Sequence, residues 1–98
     1  VSMGTTAARK AGLILENTRS VLAFELLTAC QAVDIRRRVG GYGSGLSPVD
    51  EAVFRRVREK VDFMEIDREI WPDIQAVEAM VRSGELLEIA HQLVPGLE

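Results

Sequence analysis

The hydrophobic and polar pattern of the first forty residues predicts one long helix. From Thr5 to Arg38 the sequence contains no proline, and its only glycine is Gly12. Alanine, leucine, glutamate and arginine, which favour helix, dominate this stretch. We therefore predict an α-helix over residues 4–38, which at 1.5 Å per residue forms a rod of roughly 50 Å. The glycines that follow it favour a left-handed stop.

Apolar residues point in several directions around this predicted helix. An amphipathic surface helix confines its apolar residues to one stripe. Here all three residues of Leu13–Leu15 are apolar, and so are all four residues of Val21–Phe24. Since consecutive helical residues point about 100° apart, neighbours must cover the helix on more than one side. The rest of the chain is too short to do so, and we expect self-association as a dimer or tetramer, or a place in a larger protein.

Three shorter amphipathic helices are predicted downstream, at about residues 48–64, 72–83 and 85–93. Ser47 is a good N-cap and Pro48 suits the first helical position. The first of the three repeats valine every four residues and should pack on the rod through that face. Residues 63–71 fit either an extension of this helix or a turn. Because no stretch alternates like a strand, the prediction is an all-α fold over residues 1–98.

Residues 40–46 form a glycine-rich stretch. A phosphate-binding loop would need a following Gly-Lys-Ser/Thr and a preceding strand, and the sequence has neither. The pattern therefore favours a connection between two helices. Such a loose connection also makes domain swapping possible.

Composition excludes several classes of function. The net charge of −3 argues against nucleic acid as a partner, because phosphate binding needs clustered positive charge. No apolar run approaches the length of a membrane span, so we expect no membrane partner either. With a single cysteine, Cys30, no internal disulfide can form. This fits a reducing cytoplasm, and the apolar neighbours of Cys30 indicate a small buried hydrophobic residue.

Other chemistry-bearing residues have ordinary interpretations. Cations at 36–38 suit the negative end of a helix dipole, although an anion site is the alternative. The carboxylate pairs at 50–51 and 67–69 lie at a helix start and a charged turn, where solvated or capping roles are common. His91 lacks a second histidine or cysteine at metal-ligand spacing, so no metal site is predicted. We expect Phe63 and Trp71 to be packing anchors.

Several short motifs together carry a resemblance to a known family. They are Val1-Ser2-Met3-Gly4, Ala7-Ala8-Arg9-Lys10, Glu16-Asn17-Thr18-Arg19, Val21-Leu22-Ala23, Ala29-Cys30-Gln31-Ala32, Asp67-Arg68-Glu69, Pro72-Asp73-Ile74 and Arg82-Ser83-Gly84-Glu85-Leu86-Leu87. In this order, and over nearly the whole chain, they resemble the C-terminal part of histidine ammonia-lyases, within the aromatic amino acid lyases. The chain is therefore interpreted as a C-terminal piece of a longer protein.

The resemblance implies a parent enzyme that is an all-α cytoplasmic homotetramer. Such a parent converts L-histidine to urocanate and ammonia in histidine catabolism. Its electrophile is a methylidene-imidazolone group, formed autocatalytically from an internal Ala-Ser-Gly. That tripeptide is absent here, and Tyr42 does not correspond to the family's catalytic tyrosine. We therefore expect no catalytic residue, no cofactor and no lyase activity in the chain alone, and an amino-acid substrate only in the full-length parent.

The resemblance also implies a place for the start of the long helix. In the family several helices direct their N-termini at the electrophile. Residues Val1, Ser2, Met3 and Gly4 would then lie at the rim of the parent active site, where Ser2 and Met3 would shape the site without taking part in the chemistry.

Two alternatives remain open from the sequence. The parent could act on phenylalanine or tyrosine, since the residues that choose the ring would lie upstream. The chain could also be a stand-alone helical module that binds a partner protein through its rod.

Overall fold

The computed structural model describes residues 3–40 and 45–97. Within them the protein has four helices and no strand, which confirms the predicted all-α fold. The predicted loop 40–46 lies partly outside the described residues, as do Val1 and Ser2. The helices are α1 (Met3–Val39), α2 (Pro48–Lys60), α3 (Trp71–Ser83) and α4 (Glu85–Leu93).

The long helix α1 is a 37-residue rod that the other helices cover only in part. Every residue from Met3 to Thr18 is exposed. This uncovered part is about 24 Å long at 1.5 Å per residue. α1 therefore has a free N-terminal half and a packed C-terminal half.

The core lies where α3 crosses the packed half of α1. One face of α1 buries Ala23, Leu27 and Cys30, and α2 contributes Val57. Fully burying a side chain of this size stabilises the fold by about 1.5–3 kcal/mol. The remaining buried side chains are Val61, Ile74, Val77 and Met80. α2 packs on α4 and also on α1 and α3, so it contacts three neighbours rather than the rod alone.

α2 ends at Lys60, four residues before the predicted end at about residue 64. Val61 takes extended backbone angles (φ −132°, ψ 117°), although its N–H still donates to Val57 O. Beyond it, the Gln31 side chain bonds to the backbone of Met64, and Arg58 donates to Val61 O at 3.1 Å. These side chains hold an irregular backbone over residues 61–70, where the prediction had left extension or turn open.

The other helix boundaries are explained by the residue types that stand at them. Asp50 N–H donates to the Ser47 hydroxyl at 3.2 Å, which confirms the predicted N-cap of α2. Gly40 (φ 75°) and Gly84 (φ 79°) adopt the left-handed conformation at the ends of α1 and α3, where glycine carries no Cβ penalty. α3 begins at Trp71, one residue before Pro72, because proline fits the first turn of a helix without needing an N–H donor.

The molecule is more extended than a compact chain of the same length. Its radius of gyration is 16.5 Å, against about 13 Å for a compact chain of this size. Its accessible surface of 7168 Å² exceeds by about 1,600 Å² the value expected for a compact monomer of 10.8 kDa. The uncovered half of α1 accounts for this shape.

Candidate functional site

The predicted active-site rim lies at the free end of α1. Met3 and Gly4 form the first turn, and Met3 is 83% exposed. No acidic residue occupies this turn, so its unpaired amides and partial positive charge face outward. Val1 and Ser2, the other predicted rim residues, lie outside the described part. Thr5 and Thr6 are inside the helix.

No other described element covers this end of α1, as the exposure of residues 3–18 shows. A helix start of this kind attracts anionic groups. By itself, however, it holds neither nucleophile nor base. Met3 and Gly4 therefore present helix amides to solvent and no reacting group.

The opposite end of α1 carries the basic cluster 36–38. Arg37 donates to Glu51 at 2.5 Å, and Arg38 donates to Glu65 at 3.1 Å. The Arg38 guanidinium also lies 3.7 Å from the centre of the Phe63 ring, a cation–π contact. These partners tie α1 to α2 and to residues 61–70, which supports the structural interpretation of the cluster over an anion site.

Arg58 of α2 reaches the same region of α1. Its Nε donates to Asp34 Oδ2 at 2.7 Å, and the two side chains are 16% and 22% exposed. Removing one partner of a half-buried ion pair leaves the other charge poorly solvated. Arg58 and Asp34 therefore join α2 to α1 through a largely buried ion pair.

Cys30 is part of the core, as the sequence predicted. It is 4% exposed, and burial raises the pKa of its thiol, while the nearby Arg58 opposes this effect and Asp34 adds to it. A thiol with a raised pKa carries little thiolate near neutral pH and is a poor nucleophile. The structure therefore supports no catalytic role for Cys30.

The remaining candidates are not brought together into a site. Asp67, Glu69 and His91 are exposed, and Glu51 is held by Arg37 and Arg55. No group of acidic, histidine or cysteine residues in the described ranges could hold a metal ion. The expectation that Trp71 anchors the core is wrong: it is 54% exposed, because it begins α3 at the edge of the molecule. Phe63, by contrast, is half-buried under Arg38.

Two residues that organise the structure were missed by the sequence reasoning. Gln31 makes two hydrogen bonds to the backbone of Met64. Arg68 donates to the carbonyls of Asp62 and Phe63 and to the Asp73 carboxylate. The sequence offered one signal for Gln31, since it is a polar residue among the apolar residues of the motif Ala29-Cys30-Gln31-Ala32.

None of the helices within residues 3–40 and 45–97 combines the length and apolarity that a bilayer crossing requires.

Comparisons with known proteins place these features in one family. The family model described as aromatic amino acid lyase matches residues 1–59. The chain is 46% identical, over 91% of its length, to a tyrosine ammonia-lyase of Cupriavidus metallidurans and covers 16% of that protein. It is equally identical, with the same coverage, to a histidine ammonia-lyase of Caldanaerobacter subterraneus.

A histidine ammonia-lyase of Symbiobacterium thermophilum matches over the whole chain, at 43% identity, and the chain covers 18% of it. No solved structure matches. The chain thus spans less than a fifth of the length of these relatives. The family model covers more than half of the chain, and relatives of the same family match at 43–46% identity over 91–100% of it, so the chain belongs to the aromatic amino acid lyase family.

Proposed function

We propose that this chain is the C-terminal helical part of a histidine ammonia-lyase, which converts L-histidine to urocanate and ammonia. The observation that carries the proposal is the match to relatives named for this activity over 91–100% of the chain. The role of the chain is structural: it supplies the rod α1, with its start at the rim of the active site and its apolar sides packed within the assembly.

The chemistry itself comes from the rest of the parent. The methylidene-imidazolone electrophile needs an Ala-Ser-Gly tripeptide, and the sequence contains none. No residue here forms the group, so the 98-residue chain releases no ammonia from L-histidine. Detectable ammonia release by the purified chain would contradict this.

The structural role of the chain in such an enzyme is tested by a chimera. The corresponding C-terminal segment of the Symbiobacterium thermophilum enzyme matches this chain over 98 residues and can be replaced by it. We expect the chimera to assemble and to deaminate L-histidine, because this chain can take the structural place of the segment that it replaces. A soluble, assembled chimera without activity on either amino acid would refute the assignment of the chain to such an enzyme.

The second candidate is a tyrosine ammonia-lyase parent. It is favoured by the 46% identity to the Cupriavidus metallidurans enzyme. A chimera built on that relative, with L-tyrosine as substrate, is the matched experiment. Higher relative activity in this background than in the histidine enzyme would favour the tyrosine parent.

The rim residues have a test in the same chimera. Alanine at Ser2 and Met3 should alter turnover, because both would lie at the start of α1 beside the site. Alanine at Thr6 and Lys10, further along the helix, is the matched control and should leave turnover nearly unchanged. Unchanged kinetics in the Ser2 and Met3 variant would refute the rim assignment.

Self-association belongs to the same proposal. The support is the exposed apolar surface of α1, which an isolated protomer leaves in water. A dimer or tetramer would cover it. A reducing compartment such as the cytoplasm suits the free, buried Cys30, and we propose it as the site of the parent enzyme.

A further inference from the structure

The beginning of α1 is helical but receives no bond from the other helices. Residues 3–18, which we call the free segment, are all exposed. The ion pairs of the described residues all lie at position 34 and beyond. Along α1, the first side chain that bonds to another helix is that of Ser20, whose hydroxyl donates to Glu78 Oε2 at 3.2 Å. Among the described residues, the free segment therefore has no tertiary bond of its own.

The free segment also lacks the packing that stabilises most helices. Helices in proteins draw most of their stability from the burial of an apolar face rather than from helix propensity. Here Leu13, Ile14 and Leu15 are 54%, 63% and 50% exposed. Because none of these side chains is buried, the helical state of the free segment depends on the segment's own residues.

Those residues favour helix only weakly. Gly12 lies in the middle of the free segment, and apart from proline glycine is the least favourable residue in a helix interior. A Cβ at Gly12 would meet nothing within 4 Å, so no contact within this chain requires a glycine there. Four further residues of the free segment are weak helix formers: Thr5, Thr6, Asn17 and Thr18. The Thr18 hydroxyl also donates to Ile14 O at 2.8 Å, a bond that slightly destabilises a helix.

Charge does not compensate for this weakness. The first turn of α1 contains no acidic residue that would interact favourably with the helix dipole. The charged residues of the free segment are Arg9, Lys10 and Glu16. Charges of opposite sign are thus six or seven positions apart, whereas an ion pair along a helix needs a spacing of three or four. No such pair can form within the free segment.

We infer that the free segment is a conditional helix, which frays in the 98-residue chain alone and becomes ordered only when the rest of a longer parent packs on it. The chain covers 16% and 18% of the relatives from Caldanaerobacter subterraneus and Symbiobacterium thermophilum. More than four fifths of a parent of that length would lie outside this chain. The ordered state therefore rests on the proposed function above, whereas the fraying rests on this chain alone.

Conditional folding of the free segment couples assembly to formation of the active-site rim. Met3 and Gly4, the described residues of the proposed rim, form the end of the free segment that is farthest from the packed half of α1. While the segment frays, these two residues have no fixed position. The rim therefore forms only after the parent has covered the free segment, and Gly12 keeps the segment from ordering earlier.

Hydrogen–deuterium exchange of the 98-residue chain, diluted through the micromolar range, tests the fraying. At the lowest concentration, the amides of residues 7–18 should exchange within about tenfold of the rate of an unfolded chain. The amides of residues 23–35, in the packed half of α1, should exchange at least about a hundredfold more slowly than those of residues 7–18. Equal protection of the two halves at the lowest concentration, whether high or low, would overturn the inference.

A matched pair of glycine substitutions tests the weakness of the free segment. Gly12→Ala should raise the helical population of residues 3–12, measured from carbon chemical shifts of the dilute chain, by about twofold or more. Gly45→Ala is the control, because it adds the same methyl group in open space outside any helix, and it should leave that population unchanged. If Gly12→Ala changes nothing, the segment is already fully helical and the inference is wrong.

The Symbiobacterium thermophilum chimera tests the ordered state. In the assembled chimera, the amides of residues 7–18 should exchange at least about a hundredfold more slowly than in the dilute chain. With increasing urea, protection of residues 7–18 and turnover should be lost together, while residues 23–35 remain protected. Fast exchange of residues 7–18 in an assembled chimera, or turnover that survives the loss of their protection, would overturn the coupling. An assembled but inactive chimera refutes the proposed function instead and leaves the result for the chain alone in place.

Discussion

Gln31 and Met64, which are 33 residues apart in the sequence, hold each other through two hydrogen bonds of opposite direction. Gln31 Nε2 donates to Met64 O at 2.8 Å, and Met64 N–H donates to Gln31 Oε1 at 3.2 Å. A glutamine side chain thus takes the place that a neighbouring strand or helix would occupy. This pair explains why a segment without regular structure can lie against the long helix with its backbone groups satisfied.

We predict that Gln31→Ala lowers the free energy of unfolding by about 1–3 kcal/mol, because it leaves two part-buried backbone groups of Met64 without partners. Gln31→Glu keeps the acceptor and loses the donor, so it should also destabilise. Urea unfolding monitored by circular dichroism measures both. Gln75→Ala, at an exposed position of α3, is the control and should change stability by less than about 0.5 kcal/mol. Equal effects at the two positions would refute the role of Gln31.

Arg68 should hold the irregular segment in its conformation. Its guanidinium reaches Asp62 O at 2.7 Å, Phe63 O at 3.3 Å and Asp73 Oδ2 at 3.0 Å. Arg68→Lys keeps the charge but cannot make this set of bonds, because lysine is a single point donor. We expect faster amide exchange in residues 61–70 of this variant, measured by hydrogen–deuterium exchange. Arg82→Lys, at an arginine with one surface ion pair, should leave exchange in that segment unchanged.

Acid should weaken the contact between α1 and α2. The hydrogen bond from Arg37, with a further one from Arg55, lowers the pKa of Glu51 despite opposing desolvation. A carboxyl group with a lowered folded-state pKa stabilises the fold above its unfolded pKa, near 4.3 for glutamate, and loses this stabilisation as the pH falls further. Stability measured against pH should therefore fall less steeply below about pH 4.3 in Glu51→Gln than in the wild type. Parallel curves would contradict the linkage.

Cys30 should be unreactive until the core opens. Burial raises the pKa of its thiol, and the side chain is 4% exposed. We expect a thiol reagent at neutral pH to label it at least about a hundredfold more slowly than it labels the urea-unfolded chain, since accessible thiolate is required for reaction. Similar labelling rates in the two states would show that Cys30 is not in the core. The Thr28→Cys variant, exposed on the same helix, supplies the reactive control.

The sequence predicted the helices through local signals. Three signals could be read directly from the sequence: α1 contains no proline, Ser47-Pro48 starts α2, and glycines stand at positions 40 and 84. They predict the helix boundaries within a few residues. The end of α2 could not be read in this way. Val61 and Met64 continue the helical apolar pattern. The backbone of these two residues instead bonds to the side chains of Arg58 and Gln31. A contact between residues far apart in the sequence, such as Gln31 and Met64, cannot be read from the local pattern.

The candidate site was predictable to a lesser degree. Met3 and Gly4 lie at the free start of α1, and their place at an active-site rim stays a prediction, because the groups that would face them are expected in the rest of the parent. The residue type of Trp71 did not predict its burial. A large aromatic residue usually packs in a core, but Trp71 begins α3 at the edge of the protein and is 54% exposed. Its exposure depends on what would cover that edge in the assembly.

We propose that α1 is an interface, because it carries more apolar surface than this chain covers. Sedimentation velocity of the purified 98-residue chain, over a range of micromolar concentrations, tests it most directly. We expect a dimer or larger species whose helix content remains that of the four-helix fold. A monomer at every concentration, with α1 still fully helical, would contradict it.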